Sequence, residues 1–256
     1  MANLLQGKTA LVLGVANKWS LAYAIAEAYR REGAELILTY QGDRQRETVE
    51  SIGAELGATR VIACDVSKDA ELAALTNTLR SEGATLDAVM HSIAFANRED
   101  LSKRFVETSR EGYLIAQEIS AYSLVAVARA VGPLMKEGSS LATLSYLGAV
   151  RVVPNYNVMG VAKAALEATV RYLSSDMGPC GIRVNAISAG PVKTASARAI
   201  KDFSSILDYV AERAPLRRNT DPAEVADAAV FLASHLSRGV TGNVLYVDSG
   251  FQIMGL

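Results

Sequence analysis

The chain has 256 residues, half of them hydrophobic and 21% charged, enough to bury a large core in a single α/β domain spanning residues 1–256. A formal net charge of -1 provides no basic field for nucleic acid or an acidic membrane surface, so neither is expected as a partner. Two cysteines, Cys64 and Cys180, stand far apart in no metal-ligand spacing, which fits inert thiols in a reducing compartment and no metal site.

Lys8 interrupts the N-terminal apolar residues before any h-region forms, so no secretory signal is expected. No apolar run approaches the ~18 residues of a membrane span, and a soluble chain is expected. Residues 9–14 read as a short strand ending in Gly14, and a turn leads through Ser20 into a helical pattern stopped by Gly33. Strands at 35–40, 60–65 and 87–91 then alternate with helices at 43–56 and 68–82. A long helix is expected over 111–135, a strand ending at Ser145, and a helix to Met177 stopped by Gly178-Pro179-Cys180-Gly181. Residues 183–188 form a sixth strand, with Ala189-Gly190-Pro191 turning out of it. Residues 192–218 are polar, weakly helical and punctuated by Pro215, a pattern suited to a flap over a site. Asp221-Pro222 opens another helix, and residues 243–248 close the sheet. Regular alternation predicts a Rossmann-like, doubly wound parallel sheet of seven strands with helices on both faces. Ligands bind such sheets at the carboxyl ends of the strands, where strand order reverses.

The chemistry concentrates after Ser145. Tyr156 and Lys163 stand seven residues apart in a helical pattern, about two turns and ~10 Å of rise, so they share one face. An ammonium near a phenol favours phenolate character or a strong hydrogen-bond donor, either of which stabilises negative charge on a substrate oxygen. Without a ligand, the pair is simply two residues on a helix surface. Tyr146 either positions a substrate or is a packed aromatic at a strand end.

The other strand ends suit one extended ligand. Gly14 lets backbone approach a phosphate, and Ser20 and Leu21 open a helix whose first amides attract anions, although two glycines of the usual three-glycine motif are missing. Gln41 stands where an acidic residue often grips a ribose diol and its amide can still bond a ribose, while Arg44 and Arg46 equally suit the 2′-phosphate of NADPH. Asp65 and Val66 either receive an adenine or cap a helix. Ser92, Ile93, Ala94 and Ala96 are small and apolar enough for a sugar or nicotinamide, with His91 as a packed strand-end residue. Val192 and Thr194 follow a turn that presents backbone and a hydroxyl to a carboxamide.

Together these residues resemble the short-chain dehydrogenase/reductase superfamily, and within it the enoyl-[acyl-carrier-protein] reductases of type II fatty acid synthesis. The likeness rests on Tyr156 followed by six residues before Lys163, on Ser145-Tyr146, on Gly14 with Ser20-Leu21-Ala22, on His91-Ser92-Ile93 and on Ser188-Ala189-Gly190-Pro191. Ala94 departs from the glycine of many relatives and narrows the nicotinamide pocket slightly. The resemblance implies NADH held by Gly14, Ser20, Leu21, Gln41, Asp65, Val66, Ser92, Ile93, Ala94, Lys163, Val192 and Thr194. It places an enoyl thioester, carried on acyl-carrier protein, beside Ala96, Tyr146 and Tyr156, under a loop containing Ala195, Ala197, Ile200 and Phe203. A homotetramer built through residues 111–135 and 156–177 follows, in the cytoplasm or a plastid-like stroma. Lys193, Arg198 and Lys201 are either a dock for the acidic carrier protein or solvated surface charge. Two other functions are weighed. One is a carbonyl-reducing enzyme of the same superfamily, which lacks support because Tyr-x-x-x-Lys is absent and residue 152 is Val. The other is a non-catalytic dinucleotide-binding regulator, against which the intact Tyr156/Lys163 pair argues.

Overall fold

The short apolar runs pair into one parallel sheet of seven strands in the order β3-β2-β1-β4-β5-β6-β7. The computed structural model describes residues 3–194 and 203–255. The strands are β1 (Thr9–Leu13), β2 (Glu35–Tyr40), β3 (Arg60–Ala63), β4 (Leu86–His91), β5 (Met135–Ser145), β6 (Arg183–Ala189) and β7 (Val244–Val247). The helices are α1 (Leu21–Arg31), α2 (Asp43–Leu56), α3 (Asp69–Ser81), α4 (Arg98–Ser102), α5 (Arg110–Gln117), α6 (Ser123–Val131), α7 (Asn157–Met177), α8 (Phe203–Arg213) and α9 (Pro222–Ala233).

Successive strand residues point to opposite faces, so β1 divides its side chains between two cores. Ala10 and Val12 pack with α1, α2 and α9, whereas Leu11 and Leu13 pack with α3, α6 and α7. β1, β4 and β6 are buried along almost their whole length, as strands covered on both faces must be. Strand order reverses between β1 and β4, which fixes the switch point beside Gly14 and Ser92. The cap expected at Asp221 forms, its side chain accepting from Ala223 N at 2.8 Å while Glu224 accepts from Asp221 N at 2.9 Å.

The helix expected over 111–135 differs in two ways. It is interrupted by a π-helical turn, Glu118–Tyr122, between α5 and α6, and Met135 already belongs to β5. Pro133 lacks an amide hydrogen and closes the helical segment, after which Met135 pairs with Leu86 ahead of a register shift. The helical run Arg110–Leu134 has 25 residues and a mean hydropathy of 1.3 over its most apolar window, long and apolar enough to cross a membrane. That corrects the expectation that no such segment exists. Half of the window is buried in the protein, with Leu124, Val127 and Val131 in the core against the sheet. Within the expected flap, Phe203–Arg213 is a regular helix that buries Leu207 and Val210, and residues 195–202 lie outside the described residues.

Candidate functional site

Tyr156 sits at the N-cap of α7, half-buried, with Lys163 two turns along and only 5% exposed. Tyr146, directly after β5, meets the Tyr156 ring edge-on, the centroids 4.9 Å apart and the planes at 66°. The close approach requires Gly148, where a Cβ would fall 2.5 Å from Tyr156 Cδ1. Lys163 Nζ donates to the carbonyl of Leu144 at 2.7 Å. Burial pulls the Lys163 ammonium down to about 8, against the opposing field of Glu167.

The surroundings of Tyr156 and Tyr146 shift both phenols in the same direction. Burial raises the Tyr156 phenol well above the ordinary value and the neighbouring Tyr146 raises it further, while burial lifts Tyr146 to about 12. Both shifts favour the neutral, hydrogen-bond-donating form of the phenol. Tyr156 shares a small apolar cluster with Ala96, Leu101, Ala116, Val158, Met159 and Ala162, so the expected substrate-side residues Ala96, Tyr146 and Tyr156 come together.

At the switch point Gly14 has φ +95°, and a Cβ there would meet Ser92 O at 2.1 Å, so only glycine fits. Ser20 caps α1, its Oγ accepting from Tyr23 N at 3.2 Å and donating to Asn17 O at 2.7 Å. Helix geometry leaves the Leu21 and Ala22 amides without an intrahelical acceptor, a site suited to an anion. Trp19 and the Pro191–Lys193 turn face each other across a cleft of about 490 Å³ that reaches Leu207 and Arg218. Val192 is nearly buried, and Thr194 N bonds Val192 O at 2.8 Å to make a tight turn.

Gln41 and Asp65 end neighbouring strands, and Gln41 Nε2 donates to Asp65 Oδ2 at 3.4 Å. Asp65 does not cap the following helix: its Oδ1 accepts from Ser67 N and Oγ within a turn, and the cap position of α3 is Lys68. Val66 packs into the core. Arg46 is tied to Glu50 at 2.8 Å, whereas Arg44 has no ion pair among the described residues. Ser92 N bonds Leu13 O at 3.0 Å, Ile93 is half-buried, and Ala94 is exposed. Ala195, Ala197 and Ile200, with Ser196, Arg198 and Lys201, lie outside the described residues, and Phe203 opens α8 half-buried.

His91 is packed, as expected of a strand end. Its Nδ1 lies 2.9 Å from Thr143 Oγ1 and its Nε2 2.8 Å from Ser123 Oγ, and burial, aided by Lys163, drives it to about 3. Sequence reasoning missed Ser120 and Glu167. The π turn aims the Ser120 hydroxyl at Phe95, where it accepts from the amide and donates to the carbonyl, both at 2.9 Å. It thereby fixes the backbone between Ala94 and Ala96. Glu167 is a buried carboxylate on the helix face that also buries Lys163, and a charged residue four positions after Lys163 was the available signal.

The family model described as enoyl-(acyl carrier protein) reductase matches residues 14–252. The chain belongs to the enoyl-(acyl carrier protein) reductase family. A relative from Bacillus cereus, an enoyl-[acyl-carrier-protein] reductase [NADH], is 55% identical over 254 residues, covering 98% of this chain and 99% of that protein. The Escherichia coli reductase of the same description is 49% identical over 253 residues, with 98% and 97% coverage. Among solved structures, the Bacillus cereus enoyl-acyl carrier protein reductase with NADP+ and indole naphthyridinone superposes with a TM-score of 0.97, covering 99% of each chain at 55% identity. The Aquifex aeolicus enoyl-[acyl-carrier-protein] reductase (NADH) gives 0.96 at 46% identity, again over 99% of each chain. The family's fold, seven parallel strands flanked by helices on both faces, is the fold of this chain.

Proposed function

We propose that the chain reduces the trans-2 double bond of enoyl thioesters on acyl carrier protein, with NADH as the reductant, in fatty acid elongation. The observation that carries this reading is Tyr156 packed edge-on against Tyr146 at the start of α7, with a buried Lys163 two turns along, in a chain 55% identical to an NADH-dependent enoyl reductase. The geometry fits a dinucleotide: a glycine-only approach at Gly14, open amides at the start of α1, and the Gln41–Asp65 pair beyond them. In this assignment Gly14, Ser20 and Leu21 hold the pyrophosphate, Gln41, Asp65 and Val66 the adenosine, and Ser92, Ile93, Ala94, Val192 and Thr194 the nicotinamide end. When bound, the reduced nicotinamide supplies the hydride that the β-carbon of the substrate accepts.

Negative charge then develops on the thioester oxygen as an enolate. Tyr156 donates its O–H to that oxygen, stabilisation placed where charge appears in the transition state. A phenol held neutral by burial is always in the donating form, and the apolar cluster around Ala96 and Met159 keeps water from competing for the bond. Lys163 holds the nicotinamide ribose and contributes a positive field, while Tyr146 positions the thioester against Tyr156. Ala195, Ala197, Ile200 and Phe203 are assigned to the acyl chain.

A homotetramer is part of the same reading. Tyr113, Leu114 and Tyr122 on the α5–α6 run and Tyr172 on α7 are exposed, Tyr172 at 77%, which supplies apolar surface for subunit contacts. We place the enzyme in the cytoplasm, with Lys193 contributing to the carrier-protein dock. The test follows loss of the reduced-nicotinamide absorbance with a trans-2-enoyl thioester, and with a 3-oxoacyl thioester in parallel. Oxidation with the enoyl substrate alone is expected; turnover of only the 3-oxoacyl substrate overturns the assignment.

A further inference from the structure

One buried charge has no part in the chemistry above. Glu167 lies one turn beyond Lys163 on α7, and each is only 5% exposed. Ser145 Oγ donates to Glu167 Oε1 at 2.5 Å, while Lys163 Nζ donates to the carbonyl of Leu144 at 2.7 Å. Two side chains four residues apart on α7 therefore grip two successive residues at the end of β5, and the next residue is Tyr146. Glu167 makes no ion pair among the described residues, and the cations that act on it are Arg171 and Lys163, one turn to either side on α7.

We propose that Glu167 is a positioning residue for Lys163: the Ser145-anchored carboxylate is the counter-charge that keeps the Lys163 ammonium protonated and fixed against the Leu144–Ser145 end of β5. This rests on the reading that Lys163 holds the cofactor ribose. Burial draws Lys163 down to about 8, and Glu167 is the group that opposes it. Burial pushes Glu167 above the usual carboxylate range, resisted by the Ser145 hydrogen bond and by Arg171 and Lys163. The other ionisable groups in the field of this pair are His91 on β4, held neutral by burial, and Tyr246 on β7, whose phenol is raised first by burial and then by Glu167 and Asp248. Neither supplies a negative charge at physiological pH. With Glu167 neutralised, burial acts on Lys163 unopposed, and the amine loses its proton closer to neutrality.

The test reads Lys163 directly. Lysine side chains are labelled with ¹³C at Cε, the Lys163 signal is assigned by its loss in Lys163→Arg, and its titration is followed in wild type, Glu167→Gln and Glu167→Asp. NADH affinity and kcat/KM are measured across the same pH range. In Glu167→Gln the Lys163 midpoint is expected to fall by about one pH unit or more. The alkaline limb of NADH binding and of kcat/KM moves with it, and Glu167→Asp restores both. An unmoved Lys163 midpoint in folded Glu167→Gln overturns the proposal. Should that variant fail to fold, Ser145→Ala keeps both charges and removes the anchoring hydroxyl. It is expected to raise the pH at which Glu167 takes up a proton, and an unchanged acid limb overturns the proposal. A Lys163 midpoint that follows Glu167 while NADH affinity does not titrate with it supports the pair and instead refutes the ribose contact.

Discussion

Tyr156→Phe separates chemistry from stability in a single substitution. Among the described residues the Tyr156 hydroxyl has no hydrogen-bond partner, and phenylalanine preserves both the edge contact with Tyr146 and the fit over Gly148. The folded protein therefore loses no internal bond. A polar group desolvated without a partner costs about 1–3 kcal/mol when fully buried. Tyr156 is half-buried, so the variant is expected within about 1 kcal/mol of wild type, on the stabilising side. Turnover responds oppositely. One preorganised donor to a developing oxyanion is worth about 2.7–4 kcal/mol, a fall in kcat of roughly 10²- to 10³-fold. The assay is NADH oxidation at saturating trans-2-enoyl thioester, beside urea unfolding and NADH affinity for both proteins. A kcat reduced less than about tenfold, with unfolding and NADH affinity unchanged, refutes the role given to Tyr156.

Gly14→Ala places a Cβ 2.1 Å from Ser92 O at a φ of +95°. The left-handed backbone costs about 1–2 kcal/mol and the overpacking about 1–3 more. Urea unfolding should register the sum, and NADH affinity should fall with it. Ser120→Ala removes both bonds to Phe95 and frees the backbone beside Ala96, so KM for the thioester is expected to rise more than kcat falls, read from steady-state kinetics. His91 sets an acid limb of stability. Burial lowers it from 6.5 to about 3, so the unfolded chain binds the extra proton between those values and stability falls as pH drops below 6.5. At about 1.4 kcal/mol per pH unit, moving from pH 6.5 to pH 5 costs roughly 2 kcal/mol from this group, and unfolding of His91→Gln should lack that contribution.

Local pattern carried much of the fold. Short continuous apolar runs and helices stopped by Gly33 or by Gly178-Pro179 are short-range signals, and their regular alternation argues for a parallel sheet covered by helices. The Tyr156–Lys163 spacing was equally legible, because seven residues on a helix is a geometric statement. The break at Glu118–Tyr122 was not legible: both flanks are good helix formers, and what selects the π turn is Ser120 meeting Phe95 across sequence. The strand residues 135–139 were hidden for a similar reason, since Met135 gains its partner from Leu86.

By itself, then, the amino-acid sequence determined the doubly wound sheet and the tyrosine and lysine offered at helical spacing. Tertiary structure alone decided the protonation chemistry. A phenol and an ammonium at helical spacing are compatible with phenolate or phenol, and the desolvation that favours the phenol comes from groups packed around it in the fold. Whether Asp65 caps a helix or faces a ligand, whether His91 titrates, and what Glu167 accompanies depended on groups brought from distant strands. Burial and the field of non-local neighbours set the charge state of a side chain, and neither exists until the chain has folded.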